Sequence, residues 1–173
     1  MYDTYKELLL PILERLKDFL KNDMGIKILN DNSEIIDSKH IVLKEDTVFI
    51  GTGGSVQLFV TMGFDKKLLE KLVEVFYVGN FTNEVEFREI KESVACEIAN
   101  IVIGNAIKNP VDNSIINITP PILIHDAKSL TKYKNSIILK TDISTDVGNL
   151  QMTVIGPQKL FLEKLNLKGN IKC

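Results

Sequence analysis

Glu97 and Asn100 stand three residues apart in the stretch Glu92-Ser-Val-Ala-Cys-Glu97-Ile-Ala-Asn100-Ile-Val-Ile-Gly104. At about 100° per residue, Val94, Ala95, Ile98, Ala99, Val102, Ile103, Ala106 and Ile107 cover well over half of a helix circumference. Ser93, Glu97, Asn100 and Gly104 share roughly 60° of arc on what remains. A helix this apolar must be largely buried. At i and i+3 the Glu97 and Asn100 β-carbons stand about 5–6 Å apart on one side. A carboxylate accepts from a cationic partner, and an amide both donates and accepts. The pair has no nucleophile, but it can bind a partner and hold a water molecule. Hydrolysis of an already activated bond needs little more than such positioning, as when a glutamine orients water in nucleotide hydrolysis. The competing reading makes this strip the solvated line of a core helix. Against it, solvated faces usually carry long Lys, Glu or Arg, and this strip is mostly small. Gly104, about 1 kcal/mol worse than alanine in a helix, suggests close approach by something.

Other chemistry is sparse. Of the two histidines, His40 sits among polar residues and reads as solvated. His125-Asp126 follows a strand and could be half of a metal site or an oriented base, with no third ligand or nucleophile near it in sequence. Gly-x-Ser-x-Gly, His-Glu-x-x-His and Cys-x-x-Cys patterns are missing. Cys96 reads as a small core residue and Cys173 as inert; two cysteines make no disulfide framework. Gly51-Thr-Gly-Gly54 lacks the Gly-Lys-Ser/Thr of a phosphate loop and leads into a strand, so it reads as a turn with positive φ.

The helix that carries the strip is expected over about 84–108, with Thr82 or Asn83 as its cap and Pro110 beyond its end. Before it come an amphipathic helix over 3–23 with a kink or boundary at Pro11, and a strand pair around Ile26–Ile36 broken at Asn30-Asp-Asn-Ser33. A hairpin over 47–62 and a helix over 64–78 follow. After it come strands over 115–124, 136–143 and 150–155, ended by Gly156-Pro157, and a closing helix or tail over 160–167. The order predicts an α+β fold in which helices group against an antiparallel sheet.

At 173 residues the chain suits one domain, 1–173, with 45% hydrophobic and 25% charged residues and a net charge of −2. No basic cluster exceeds a Lys-Lys pair, which excludes nucleic acid as a partner. The run Leu8–Leu13 is too short for a signal peptide, and no stretch approaches a membrane span, so the chain reads as cytoplasmic.

Glu97-Ile-Ala-Asn100-Ile-Val-Ile-Gly104 resembles the Glu-x-x-Asn-x-x-x-Gly signature of the CheX/CheC/FliY chemotaxis phosphatases, CheX above all. Glu92, five residues before Glu97, is similar to the family's acidic lead-in. Ile118-Thr-Pro-Pro-Ile122 resembles the proline-bearing strand after the helix. The hairpin through Gly54–Val60, the turn Asp146-Val-Gly-Asn-Leu150 and the entry Gly25-Ile-Lys-Ile28 also match, so the resemblance spans nearly the whole chain. It implies a CheC/CheX-like two-layer fold and a phosphatase for the aspartyl phosphate of a CheY-like receiver domain. Glu97 would dock the receiver through its active-site lysine, and Asn100 would position the attacking water. The receiver would bring its own Mg²⁺, leaving this chain without a bound cofactor or metal. The first helix has Glu14-Arg-Leu-Lys17 and no second asparagine, and a single motif implies the CheX type, typically a homodimer joined through sheet edges. Pro121 beside Pro120 departs from the pattern and bears on strand pairing or that edge. The alternative on the same fold is a non-catalytic module that binds receivers or other proteins.

Overall fold

The computed structural model describes residues 9–54, 57–107 and 116–157. Helix α1, Leu10–Asp18, has Pro11 in its first turn and runs into a π-helical turn, Phe19–Asp23. Strands β1 (Ile28–Ile36), β2 (His40–Val42), β3 (Asp46–Gly54) and β4 (Phe59–Phe64) precede α2, Lys66–Phe76, and α3, Glu84–Ala106. Five strands follow: β5 (Ile116–Ile118), β6 (Ile122–Ile124), β7 (Ser129–Thr131), β8 (Ser136–Thr145) and β9 (Asn149–Pro157). The expected tail over 160–167 lies outside the described residues.

Seven strands form one antiparallel sheet in the order β1-β8-β9-β4-β3, with β5 and β6 both on the outer edge of β3. Alternation puts Val48 and Ile50 of β3, Val60 and Met62 of β4, and Met152 and Val154 of β9 on one face, where they meet the helices in the main core. Helix α3 packs against both α1 and α2 and is the middle helix of that layer. Ile12, Leu16, Leu68 and Ile98 are fully buried there. The other face carries a smaller cluster of Ile41, Leu43, Ile138 and Ile155, covered in part by the β2–β7 ribbon. The fold is α+β with helices on one face of an antiparallel sheet; the ribbon had no signal in the sequence.

Three expectations are corrected. Asn30-Asp-Asn-Ser33 is not a turn between paired strands but the middle of β1, which pairs along its length with β8. The stretch is polar because β1 is an edge strand exposed over most of its length. Its side chains also have partners: Ser33 and Thr141 hydroxyls bond at 2.8 Å, and Asp31 meets Lys17 of α1 at 2.7 Å. The strand expected over 115–124 is two short strands parted by Pro120-Pro121. Both stay on β3, with Ile118 opposite Thr52 and Ile122 opposite Phe49. Two residues without N–H cannot continue a ladder, and Thr119 supplies the hydrogen bonds to Gly51 just before the break. The β3–β4 hairpin forms, but Gly51-Thr-Gly-Gly54 is not its turn. These residues are the end of β3, with Gly51 opposite Phe59 of β4 and Gly54 opposite Ile116 of β5. Of the four, Gly54, at φ 90°, has the positive φ. The run of the last strand continues through Gly156 and Pro157, which still oppose Ile137 and Ser136.

Candidate functional site

The start of α3 sets the phase of everything along it. Asn83 is the cap: its Oδ1 accepts from the Glu86 amide at 3.0 Å. The Glu86 carboxylate reaches back to accept from the Thr82 amide at 2.7 Å and from the Thr82 hydroxyl, which holds its carboxyl below the usual range. Glu84 and Glu86 also favour the positive end of the helix dipole.

From that start the 3.6-residue period turns Val94, Ala95, Ile98, Ala99, Val102 and Ile103 into the core. Ser93, Glu97 and Asn100 are exposed and Gly104 half-buried. The site therefore stands on the most securely anchored helix of the fold. Exposure by itself belongs equally to a solvated face. Two further facts distinguish this strip. Among the described residues, no ion pair or side-chain hydrogen bond engages Glu97 or Asn100, although ion pairs flank them at Arg88–Glu92 and Lys91–Asp46. And Gly104 has negative φ and no packing need: a β-carbon there would meet only Ile118 Cδ1, at an ordinary 3.5 Å. Beside Asn100 and Gly104 a cleft of about 410 Å³ runs between α3 and β5, its walls including Ile101, Ile116 and Ile118.

His125 falls elsewhere. It lies just after β6, 42% exposed, with Nδ1 2.7 Å from Asp46 Oδ1 at the start of β3 and Nε2 2.9 Å from Glu92 Oε1 on α3. The hydrogen bond to Asp46, aided by Glu92 and opposed by burial, raises its proton affinity above the ordinary imidazole value. Both nitrogens are thus engaged by carboxylates, neither of them Asp126, which turns the chain at φ 53°. In this arrangement both ring nitrogens are occupied by those contacts. Among the described residues no group of His, Cys, Asp and Glu is placed to hold a metal ion. Asp46, 79 residues away, had no signal in the sequence as a partner of His125.

A larger cleft of about 870 Å³ opens around Asp46, Lys91 and His125, away from Asn100. Its charges are largely spent on one another, as in Lys44–Asp65 and Lys91–Asp46, so it offers a ligand little unpaired charge. His40 is exposed on β2 and bonds Thr131 across the ribbon. Cys96 is half-buried against the core, and burial pushes its thiol up, away from thiolate chemistry.

Residues 47–142 match the family model described as chemotaxis phosphatase CheX. Solved structures repeat the architecture. A CheX chemotaxis protein from Desulfovibrio desulfuricans aligns with a TM-score of 0.70 at 12% identity, over 84% of this chain and 95% of that one. A putative chemotaxis protein from Desulfovibrio vulgaris Hildenborough gives 0.69 at 15%, over 84% and 94%. The CheX of Borrelia burgdorferi, solved as a CheX-CheY-BeF3-Mg+2 complex, gives 0.60 at 22%, over 86% and 96%. No curated protein matches the sequence.

Proposed function

The chain belongs to the CheX family of chemotaxis phosphatases, and from that membership we propose that it hydrolyses the aspartyl phosphate of a CheY-like receiver through Glu97 and Asn100. The observation that carries this reading is the carboxylate and amide exposed together on α3, without a side-chain partner among the described residues. The Borrelia relative supports the partner class, since it was crystallised with CheY.

In this reading Glu97 accepts a hydrogen bond from a receiver cation, the active-site lysine by family resemblance, and fixes the register of docking. Asn100, one turn on, reaches the acyl phosphate. Its amide orients a water so that an oxygen lone pair faces phosphorus. The P–O bond to the aspartyl carboxylate breaks as the bond to water forms, giving inorganic phosphate and free Asp. The receiver's own Mg²⁺ neutralises the phosphoryl oxygens, so this chain needs to supply position rather than charge. The same reading makes residues 1–173 one domain that works in the cytoplasm as a homodimer.

The test is loss of phosphate from receivers of the same organism, with and without the protein. Wild type should accelerate it and Asn100→Ala should not. A protein that binds phosphorylated receivers without shortening phosphate lifetime would be a non-catalytic binding module instead.

A further inference from the structure

The larger cleft, about 870 Å³, is lined by all of β2, His40–Val42, and by no residue of β7. It therefore opens along the edge of β2 that faces away from β7. The ribbon's own hydrogen bonds fix what that edge offers. The Leu43 N–H donates to the Lys128 carbonyl at 3.1 Å and the Lys132 N–H to the Lys39 carbonyl at 2.9 Å, so residues 39, 41 and 43 bond across the ribbon. The backbone N–H and C=O groups of His40 and Val42 then turn outward, toward the cleft. The Ser38 hydroxyl donates to the His40 carbonyl, and among the described residues no strand pairs with this edge.

The sheet side of the cleft holds a second unmet group. Leu150, Met152 and Val154 of β9 point to the main core, so Gln151 points to the opposite face, where it lines the cleft. Gln151 is only 8% exposed, and its amide has no side-chain partner among the described residues. Two residues on, the hydroxyls of Thr153 and of its cross-strand neighbour Thr61 are buried without a partner as well. Buried polar groups in that state cost stability unless something else meets them.

The charges of the cleft do not call for an ion. Lys44 is paired with Asp65, Lys91 and His125 with Asp46, and Lys140 with Asp142. A charged ligand would have to break one of these pairs, whereas neutral hydrogen-bonding groups would not. Backbone donors and acceptors at strand spacing, beside a buried amide, are the complement of an extended peptide.

We propose that this cleft binds an extended, uncharged peptide segment of a partner protein, which adds to β2 as a third strand of the ribbon and hydrogen-bonds the Gln151 amide through a Ser, Thr, Asn or Gln side chain. Main-chain bonds to His40 and Val42 give the affinity, and the side chain that meets Gln151 gives the selectivity. Asn100 is not among the lining residues, so this contact is separate from receiver dephosphorylation.

The test presents the full chain, at physiological salt, to an array of acetylated, amidated octapeptides of random sequence. The tightest binder is then followed by titration calorimetry and amide hydrogen exchange. Binders should share a Ser, Thr, Asn or Gln and no common charge, and the His40 and Val42 amides should exchange more slowly when the peptide is bound. Val42→Pro removes one of those donors without touching the β2–β7 bonds, since proline is tolerated where an edge N–H faces out. Gln151→Leu removes the amide, and the free protein should be as stable as wild type or more so. Each variant should weaken the peptide about fivefold or more. No binder on the array, binders selected by charge, unprotected His40 and Val42 amides, or an affinity untouched by Gln151→Leu overturns the proposal. A Tm for Gln151→Leu well below that of wild type would give the amide an internal role and overturn it too. Should Val42→Pro fail to fold, hydrogen exchange and Gln151→Leu decide.

Discussion

Ile118 Cδ1 lies 3.5 Å from where a β-carbon on Gly104 would stand, and no other heavy atom beyond the glycine's own neighbourhood comes within 4 Å. Gly104→Ala should therefore fit without strain. Replacing a helix-interior glycine should raise stability by about 0.5–1 kcal/mol, read as a higher urea midpoint at unchanged m-value. Gly104→Leu should fit the free protein too, yet raise KM for the receiver, because its side chain fills the approach beside Asn100. Stability and activity would then move in opposite directions.

Asn100→Ala removes an exposed amide that has no side-chain partner among the described residues. The midpoint of unfolding should stay where it is or rise slightly. Acceleration of receiver dephosphorylation should fall about 100-fold or more, the scale on which lost positioning acts. Equal turnover by the variant would remove Asn100 from the mechanism.

Glu97→Lys places a cation where the proposed contact needs an acceptor. Affinity for a receiver should drop at least about tenfold, since like charges in juxtaposition cost several kcal/mol. The loss should be greatest at low ionic strength. Glu97→Gln keeps an acceptor and should recover part of it, as seen by titration calorimetry with a receiver loaded with a phosphoryl mimic.

Acid stability depends on Asp65 at the β4–α2 corner. Burial would raise its carboxyl, but Lys44 Nζ at 2.5 Å and the Asn149 amide and side-chain nitrogen, each at 2.8 Å, more than offset that and hold it below its ordinary value. Folding thus lowers its proton affinity, and in acid the unfolded chain binds more protons. The stability this group contributes is present above the unfolded value of 3.8 and is lost as pH falls through the lower folded one. Asp65→Asn should be less stable than wild type at neutral pH, with the gap closing in Tm scans taken to acid pH.

What could be read along the sequence was whatever lies within a few helical turns. The strip on α3 follows from a 3.6-residue period between a strong cap and Pro110. β3, β4, β8 and β9 announce themselves by β-branched runs. β1 was hidden because Asn30, Asp31, Asn32 and Ser33 are turn formers locally, and only pairing with β8 more than 100 residues away overrides that preference. The His125 bridge was hidden for the same reason: Asp46, Glu92 and His125 share no period, and β6 had to lie on β3 before they could meet.

The two margins of the sheet resist unwanted growth by different means. Outside β3 the ladder is broken by Pro120 and Pro121, which have no N–H to offer an incoming strand. Among the described residues no strand pairs with the outer edge of β1 over its nine residues, and Asp31 and Glu34 face any neighbour there with charge that must be desolvated. Solubility at high concentration thus depends on a handful of acidic and amide side chains that the hydrophobic core does not need. Exchanging Asp31 and Glu34 for valine would give up their ion pairs with Lys17 and Lys140, worth little at such exposure, while turning the rim of one molecule into a template for the next.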